Sequence, residues 1–171
     1  MRLALTGGIA CGKSLLAKYL NELGVETLDA DDIVHTIIPE EERRRIADEI
    51  FRNPEKRKEL EARVHPLVRE RLEQFARSSD EIKVEIIPLL FECHWESNYD
   101  IIICVSSPRS LQVERMISKR GYSEEQAEAR LCAQIPVEEK AVRSHYVVEN
   151  GGSAENLKQE AKRLVDWLKG R

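Results

Sequence analysis

Hydrophobic positions along the chain fall into short continuous runs separated by stretches with helical spacing. Short apolar runs predict five buried strands, at residues 3–5, 25–28, 82–87, 100–105 and 146–149. Between the first two runs, apolar residues recur every three to four positions from Lys13 to Leu23, and Gly24 follows as a helix terminator. Strands that alternate with helices predict an α/β fold, a parallel five-stranded sheet covered by helices on both faces.

The polar stretches between the strands carry helix signals of their own. Residues 40–52 and 54–77 are charged and have helical spacing, and Asn53 is expected to cap the second of them. Ser123 begins a capping box, and Ser153 is expected to cap the last helix. These signals predict helices in every long gap between the strands.

Length and composition indicate one soluble domain. The 171 residues suit a single domain, with a helical region at about 33–80 and a charged helical segment at about 115–143 that is predicted to form a lid. No apolar run approaches the ~18 residues of a membrane span, and the N-terminus runs directly into a glycine-rich motif. We therefore expect a cytoplasmic protein with no membrane partner.

The net charge and the spacing of the cysteines and histidines limit which binding partners and metal ions we expect. A net charge of −4 argues against a nucleic-acid partner but is compatible with a phosphorylated small substrate, which needs only a few cations in a cleft. The four cysteines lack the spacing of a metal clip or a redox pair, and the four histidines lack metal-ligand spacing. The sequence therefore predicts free thiols and no zinc site.

The glycine-rich motif at residues 7–14 predicts a nucleotide site. Its sequence, Gly-Gly-Ile-Ala-Cys-Gly-Lys-Ser, fits G-x-x-x-x-G-K-[ST] and stands between a predicted strand and a predicted helix. Small residues let successive backbone N–H groups face phosphate oxygens at the positive end of the helix dipole. Lys13 is expected to reach the β- and γ-phosphates of ATP, and the Ser14 hydroxyl to ligate Mg²⁺. Regulatory GTPases and motor ATPases share this loop.

Two side chains near these motifs are open to two interpretations. Cys11 stands near a helix N-terminus, where a thiol can be reactive, but the favoured interpretation is that it occupies a loop position whose backbone alone binds phosphate. Glu85, on the third strand, is a candidate for orienting metal-bound water, and a structural role fits it as well. The sequence does not decide either case.

Several segments together resemble the dephospho-coenzyme A kinase family. Leu5-Thr6-Gly7-Gly8-Ile9 runs into the loop, and Asp29-Ala30-Asp31, His65-Pro66 and Pro88-Leu89-Leu90-Phe91-Glu92 follow in the family's order. Further positions match downstream, namely Gln112, Arg115, Arg120, Ser123, Gln134, Lys140 and Asn150-Gly151. The Asp-Ala-Asp and Pro-Leu-Leu-Phe-Glu segments are the more diagnostic, because many families share the loop.

The resemblance implies an activity and a set of site residues. Members of this family transfer the ATP γ-phosphoryl group to the ribose 3′-hydroxyl of dephospho-coenzyme A, and the resemblance implies that the helical region at about 33–80 binds this acceptor. By resemblance, Asp31 is the catalytic carboxylate, with Lys13 and the lid residues Arg115 and Arg120 beside it. The implied nucleotide site comprises Gly8, Ile9, Ala10, Cys11, Gly12, Lys13, Ser14, Leu15, Asn150 and Gly151. The implied acceptor site comprises Thr6, Asp29, Asp31, His65, Pro88, Leu89, Leu90 and Glu92.

The aspartates after the second strand can also be interpreted without the resemblance. Carboxyl ends of parallel strands face the ligand crevice, although Asp equally favours turns and helix caps. If the segment is extended, Asp29 and Asp31 share a face. Asp32 is then expected to point elsewhere and to cap the helix that contains Val34 and His35.

The chain departs from the family pattern in three places. The segment from His35 to Glu49 is short, on the acceptor side. Ala10, Cys11 and Leu15 stand where the family commonly has Gly, Ser and Thr, and Ser144-His145 stands where Ala-Asp is usual.

Two other functions remain open from the sequence. The first is that of another small-molecule kinase with the same loop, such as a nucleoside monophosphate kinase. The second is that of a nucleotide-binding regulatory module that phosphorylates nothing. The sequence leaves the oligomeric state open.

Overall fold

The chain forms two compact units. The computed structural model describes residues 1–79 and 81–171, and the side chains of residues 47–52, 54 and 57 lie outside that description. One unit consists of Met1–Thr27 together with Glu81–Arg171, and the other of Leu28–Asp80. The predicted helical region at about 33–80 falls within the second unit, and its role in binding the acceptor stays a prediction.

A five-stranded parallel sheet forms the centre of the first unit. Its strands are β1 (Leu3–Gly7), β2 (Glu26–Asp29), β3 (Lys83–Ile86), β4 (Ile101–Ser106) and β5 (Tyr146–Glu149). Their order across the sheet is β2-β3-β1-β4-β5, and the boundary between the two units falls within β2. All residues of β1 are buried and so are all but the last of β4, because both faces of a parallel sheet are covered. The predicted fold class is confirmed.

The helices begin and end close to the predicted positions. They are α1 (Lys13–Glu22), α2 (Ala30–Ile37), α3 (Glu40–Arg52), α4 (Pro54–Arg77), α5 (Arg109–Arg120), α6 (Glu124–Cys132), α7 (Val137–Val142) and α8 (Ala154–Lys169). The side chains of Asn53 and Ser153 cap α4 and α8, and Ser123 forms the predicted capping box with Gln126. Among the described residues, no helix has the length and apolar character that crossing a bilayer requires.

Helices α1 and α8 cover the sheet of the first unit with apolar side chains. Leu16 and Leu20 of α1 are completely buried, as is Leu164 of α8. Burying such a side chain contributes about 1.5–3 kcal/mol of hydrophobic free energy. Within the predicted lid, α6 packs on α5 around Met116, while Val137 of α7 belongs to the main core. The extent of the lid stays a prediction.

The second unit is helical. Helix α4 packs against both α2 and α3. Val64, Val68 and Leu72 of α4 are buried at intervals of four residues, which puts them on one face of the helix. Arg63 on the same helix forms an ion pair with Glu42 of α3 at 3.0 Å. These contacts join the three helices of the second unit.

Candidate active site

The phosphate loop, residues 7–14, has a positive φ at three residues, the first of which is Gly7 at φ 145°. It leaves β1 and enters α1, as the sequence predicts. Ala10 has φ 57° and Gly12 has φ 97°. A Cβ atom on Gly12 would lie 2.3 Å from Nδ2 of Asn150, so this position excludes any side chain. The left-handed conformation of Ala10 is sterically unfavourable by about 1–2 kcal/mol.

Side chains outside the loop hold three successive loop carbonyls. The pairs are Gln112 Nε2 to Ile9 O at 2.7 Å, Arg115 Nη1 to Ala10 O at 3.2 Å and Asn150 Nδ2 to Cys11 O at 2.8 Å. Ser107 Oγ donates to Asn150 O at 2.8 Å and accepts from Arg115. We call Ser107, Gln112, Arg115 and Asn150 the loop brace. It fixes the shape of the loop from the side of β4 and α5.

Lys13 lies over the first residues of the loop. Its ammonium group donates to Gly7 O at 3.0 Å and to Gly8 O at 2.8 Å. These contacts keep a cation at the edge of the loop, the position that phosphate binding requires of it. Ser14 follows in the first turn of α1 and is exposed, so its hydroxyl is accessible.

Cys11 is packed inside the protein. Its side chain is fully buried, and its Sγ accepts a hydrogen bond from Gln112 Nε2 at 3.2 Å. Burial raises the pKa of the Cys11 thiol, and the nearby Lys13 charge opposes this only in part. A buried thiol with a raised pKa is a poor nucleophile, which favours the interpretation of Cys11 as a packing residue.

The segment Pro88–Glu92 is anchored by a buried lysine. The Lys140 ammonium lies 2.7 Å from Glu92 Oε1 and donates to Pro88 O at 3.0 Å. Pro88 O also accepts from Thr6 Oγ1 at 3.3 Å. Pro88, Leu89 and Glu92 are partly exposed and Leu90 is buried, so three of the four predicted acceptor residues of this segment reach the surface.

The two arginines of the predicted lid have different surroundings. Arg115 is half-buried and donates to Ala10 O, to Ser107 Oγ and to Asn150 O. Arg120 is exposed at the last position of α5, before Gly121 at φ 68° ends the helix. The structure therefore brings Arg115, but not Arg120, to the phosphate loop. A catalytic role of either side chain stays a prediction.

The predicted acceptor residues of the second unit lie on α2 and α4. Asp29 Oδ1 accepts from the backbone N–H of Asp31 at 2.9 Å and thereby caps α2. The expectation that Asp32 caps this helix was wrong, and the segment is not extended, because α2 begins directly after β2. Asp31 and Asp32 are exposed in the first turn of α2. His65 lies on α4, where burial lowers its pKa.

Three polar side chains matter more than their sequence positions suggested. Gln112 and Ser107 are buried beside the loop, and Lys140 is buried beneath Pro88–Glu92. Gln112 and Lys140 match the family pattern, but neither the periodicity nor a local motif indicates their partners, which are distant in sequence. Glu85, by contrast, accepts from Arg2 at 2.8 Å and from Tyr99 at 2.5 Å, so its role here is structural.

The described residues contain no group of three or more His, Cys, Asp or Glu side chains that could hold a metal ion. Mg²⁺ favours few protein ligands, together with waters and the phosphates of a substrate. An exposed hydroxyl beside the phosphate loop, as at Ser14, fits that mode of binding.

Comparisons with known proteins identify the family. A family model described as dephospho-CoA kinase matches residues 1–42 and 40–156. The chain belongs to the dephospho-CoA kinase family. A dephospho-CoA kinase of Geobacillus kaustophilus is 33% identical over 94% of this chain and 92% of its own length. One of Aquifex aeolicus is 35% identical over 98% of this chain and 97% of its own length. The predicted family is confirmed, and so is the enzyme class.

Several solved structures share the fold of this chain. The structure of TT1252 from Thermus thermophilus matches with a TM-score of 0.83 and 34% identity, over 98% of this chain and 97% of that one. A dephospho-CoA kinase from Campylobacter jejuni matches with a TM-score of 0.74 and 28% identity, over 99% and 98%. A shikimate kinase from Bacteroides thetaiotaomicron, at 15% identity and a TM-score of 0.62, shares the fold alone.

At least one family relative is longer than this chain. The family match breaks at residues 40–42, inside the short segment His35–Glu49. The alignment with a dephospho-CoA kinase of Wolinella succinogenes is 191 positions long, more than the 171 residues of this chain. That relative therefore has residues that this chain lacks.

Proposed function

We propose that this chain transfers the γ-phosphoryl group of ATP to the ribose 3′-hydroxyl of dephospho-coenzyme A, the last step of coenzyme A synthesis. The observation that carries the proposal is a complete phosphate loop, with three of its carbonyls held by side chains from other elements, in a chain that matches the family over nearly its whole length. ATP is the phosphoryl donor that the kinase family implies, and the acceptor is a small molecule.

The nucleotide site is proposed to be the loop and the residues next to it. Backbone N–H groups of the loop, among them those of Ala10 and Gly12, donate hydrogen bonds to phosphate oxygens, and Lys13 neutralises charge on the group being transferred. Leu15 continues the first turn of α1. Asn150 and Gly151 lie beside the adenine in this proposal, and Asn150 also holds Cys11 O from behind the loop.

Mg²⁺ would accompany ATP and take the Ser14 hydroxyl as its protein ligand. When bound, the ion neutralises negative charge on the phosphates. Every other part of the proposed reaction is assigned to side chains and backbone groups of the chain itself.

Asp31 is proposed as the base that accepts the proton of the sugar hydroxyl. An unionised hydroxyl is a poor nucleophile, and kinases commonly use a carboxylate to orient it and to receive its proton. Asp31 is exposed in the first turn of α2, and its own N–H is held by the Asp29 carboxylate. In this proposal Asp29 acts by fixing the backbone at Asp31.

The acceptor is proposed to contact Thr6 and the segment Pro88–Glu92. Pro88 and Leu89 offer partly exposed apolar surface, while Leu90 supports them from the core. The Glu92 carboxylate offers hydrogen-bond acceptors next to them. His65 of the second unit is assigned to the same substrate through the family resemblance.

Arg120 is proposed as a lid cation that reaches the transferring phosphoryl group, since a guanidinium donates two parallel hydrogen bonds to phosphate. Its exposure at the end of α5 leaves the side chain accessible. Arg115 is retained here as the second cation of the lid, and its contacts with the loop are considered below. We further propose a cytoplasmic location and no nucleic-acid partner, in keeping with the net charge of −4.

The short acceptor side supports one other candidate, a nucleotide-binding module without a phosphoryl acceptor. The observation behind it is the break in the family match at residues 40–42. A protein of this kind would bind ATP through the same loop and release no ADP with any acceptor.

The proposal is tested by incubating the purified protein with ATP, Mg²⁺ and dephospho-coenzyme A. Phosphorus NMR of the product should detect a new 3′-phosphomonoester, formed in equal amount to ADP. Lys13→Ala should remove most of this activity, and Lys162→Ala, an exposed change on α8, should not. Phosphorylation at another position, or undiminished turnover by Lys13→Ala, would refute the assignment.

A further inference from the structure

Gln112 is a buried polar residue whose described partners both belong to the phosphate loop. Its side chain is 3% exposed, and its amide nitrogen lies 2.7 Å from Ile9 O and 3.2 Å from Cys11 Sγ. Gly8 also packs closely against this amide nitrogen, because a Cβ atom on Gly8 would lie 2.4 Å from it. Both hydrogen bonds of the amide nitrogen therefore fix loop residues.

The direction of a carbonyl decides the direction of the next N–H. In a planar trans peptide, the C=O of one residue and the N–H of the following residue point to opposite sides. Gln112 holds Ile9 O on the α5 side, which turns the Ala10 N–H the other way. Asn150 holds Cys11 O and thereby turns the Gly12 N–H in the same manner.

The N–H groups that the loop brace turns outward are available for a ligand. Within the described residues, neither the Ala10 nor the Gly12 N–H forms a hydrogen bond. Both residues are in the left-handed region of φ, and for Ala10 that conformation is strained. A strained backbone persists only where its surroundings hold it, and Gln112 supplies the contact just before Ala10.

We propose that Gln112 is a positioning residue that holds the Ile9–Ala10 peptide in the orientation that phosphate binding requires. The inference rests on the proposed nucleotide site. In this proposal Gln112 affects the binding of the ATP phosphates but not of the adenine. The reason is that its side chain bonds to the loop, whereas the adenine is assigned to Asn150 and Gly151. Arg115 and Asn150 differ in this respect, since they bond to each other as well as to the loop.

The test compares ligands with and without phosphates. Gln112→Met keeps the length and removes both hydrogen-bond donations, and Gln112→Glu keeps the shape but sets a carboxylate against Ile9 O. Gln159→Met on α8 is the matched control, because Gln159 is exposed. ATP affinity is measured by calorimetry and adenosine affinity by NMR titration, with kcat and KM for ATP from ADP release.

Gln112→Met should weaken ATP binding about tenfold, since a buried carbonyl loses its donor, and Gln112→Glu should weaken it further. Adenosine affinity should stay within about twofold of wild type, and kcat at saturating ATP within about threefold. Equal losses for ATP and adenosine would overturn the proposal, as would unchanged ATP affinity. A Lys13→Ala variant that binds ATP normally would instead overturn the proposed nucleotide site.

A measurement on the wild-type protein does not depend on whether the variants fold. ATP should shift the backbone amide protons of Ala10 and Gly12 downfield, while the side-chain amide protons of Gln112 stay protected from exchange. Unshifted Ala10 and Gly12 amides, with the Gln112 amide released on ATP binding, would contradict the positioning role.

Discussion

The ammonium group of Lys140 lies 2.7 Å from Oε1 of Glu92, and the Lys140 side chain is completely buried. Lys140 also donates to Pro88 O, and Glu92 Oε1 also accepts from the backbone N–H of Ile135 at 3.0 Å. One buried cation therefore joins α7 to the segment Pro88–Glu92, which we assign to the acceptor.

Removing one partner of this pair should be costly. Lys140→Met should lower the free energy of unfolding by about 3–5 kcal/mol, because it leaves the Glu92 carboxylate partly buried without its cation. The double variant Lys140→Met/Glu92→Leu should recover part of the loss. Urea denaturation of wild type, the single variants and the double variant gives the coupling energy, with Lys162→Met as an exposed control. Strictly additive losses would mean that the two side chains do not act as a pair.

Arg115 and Arg120 should affect different kinetic constants. Arg115→Met should raise the dissociation constant of ATP, because the side chain holds Ala10 O and Asn150 O. Arg120→Met should lower turnover and leave ATP affinity nearly unchanged, because the side chain is exposed at the end of α5. Calorimetry and steady-state turnover separate the two effects. Identical behaviour of both variants would argue for a common role in the lid.

Of the three aspartates near the start of α2, only Asp31 should be essential for turnover. Asp31→Asn should bind ATP normally and lose roughly 10²–10⁴-fold in turnover, the usual contribution of a general base. Asp29→Asn should change little, because Asn caps a helix about as well as Asp, whereas Asp29→Ala should cost about 1 kcal/mol of stability. Asp32→Asn should have little effect. A normal Asp31→Asn beside an inactive Asp29→Asn would show that the base is misassigned.

The thiols should react in the order of their burial. Cys132 is exposed, whereas Cys11 and Cys104 are buried. Burial raises the pKa of Cys11 and raises that of Cys104 to about 12, so neither forms much thiolate at pH 8. A thiol reagent should therefore modify Cys132 first and the two buried residues only on unfolding. Mass spectrometry identifies the sites, and rapid labelling of Cys11 in a Cys132→Ala protein would contradict this order.

Local sequence signals were sufficient to predict the fold. They were not sufficient to predict the contacts of the loop brace. Strand and helix positions follow from hydrophobic spacing, and the caps at Asn53, Ser123 and Ser153 depend on residues two or three positions away. The cap of α2 was misassigned to Asp32, because three aspartates within four positions, 29–32, give no local reason to prefer Asp29. The cap residue is decided by the point at which β2 ends and α2 begins.

In the candidate active site, too, the local features were predicted from the sequence and the long-range contacts were not. The phosphate loop is contiguous in sequence and was recognised from its motif and its flanking elements. Gln112 and Asn150 hold carbonyls that are about 100 and 139 positions away along the chain. Such contacts depend on the order of the strands, which brings the ends of β1, β4 and β5 together. Spacing along the sequence carries no record of that order.

The central claim is that this chain phosphorylates dephospho-coenzyme A, and acceptor preference tests it most directly. ADP release should be measured with ATP-Mg²⁺ and a panel of acceptors that contains dephospho-coenzyme A, AMP and CMP. The account predicts that dephospho-coenzyme A stimulates ADP release strongly, that neither nucleoside monophosphate does, and that Asp31→Asn abolishes the stimulation. A higher kcat/KM with AMP or CMP would contradict it, and so would ADP release that no acceptor stimulates.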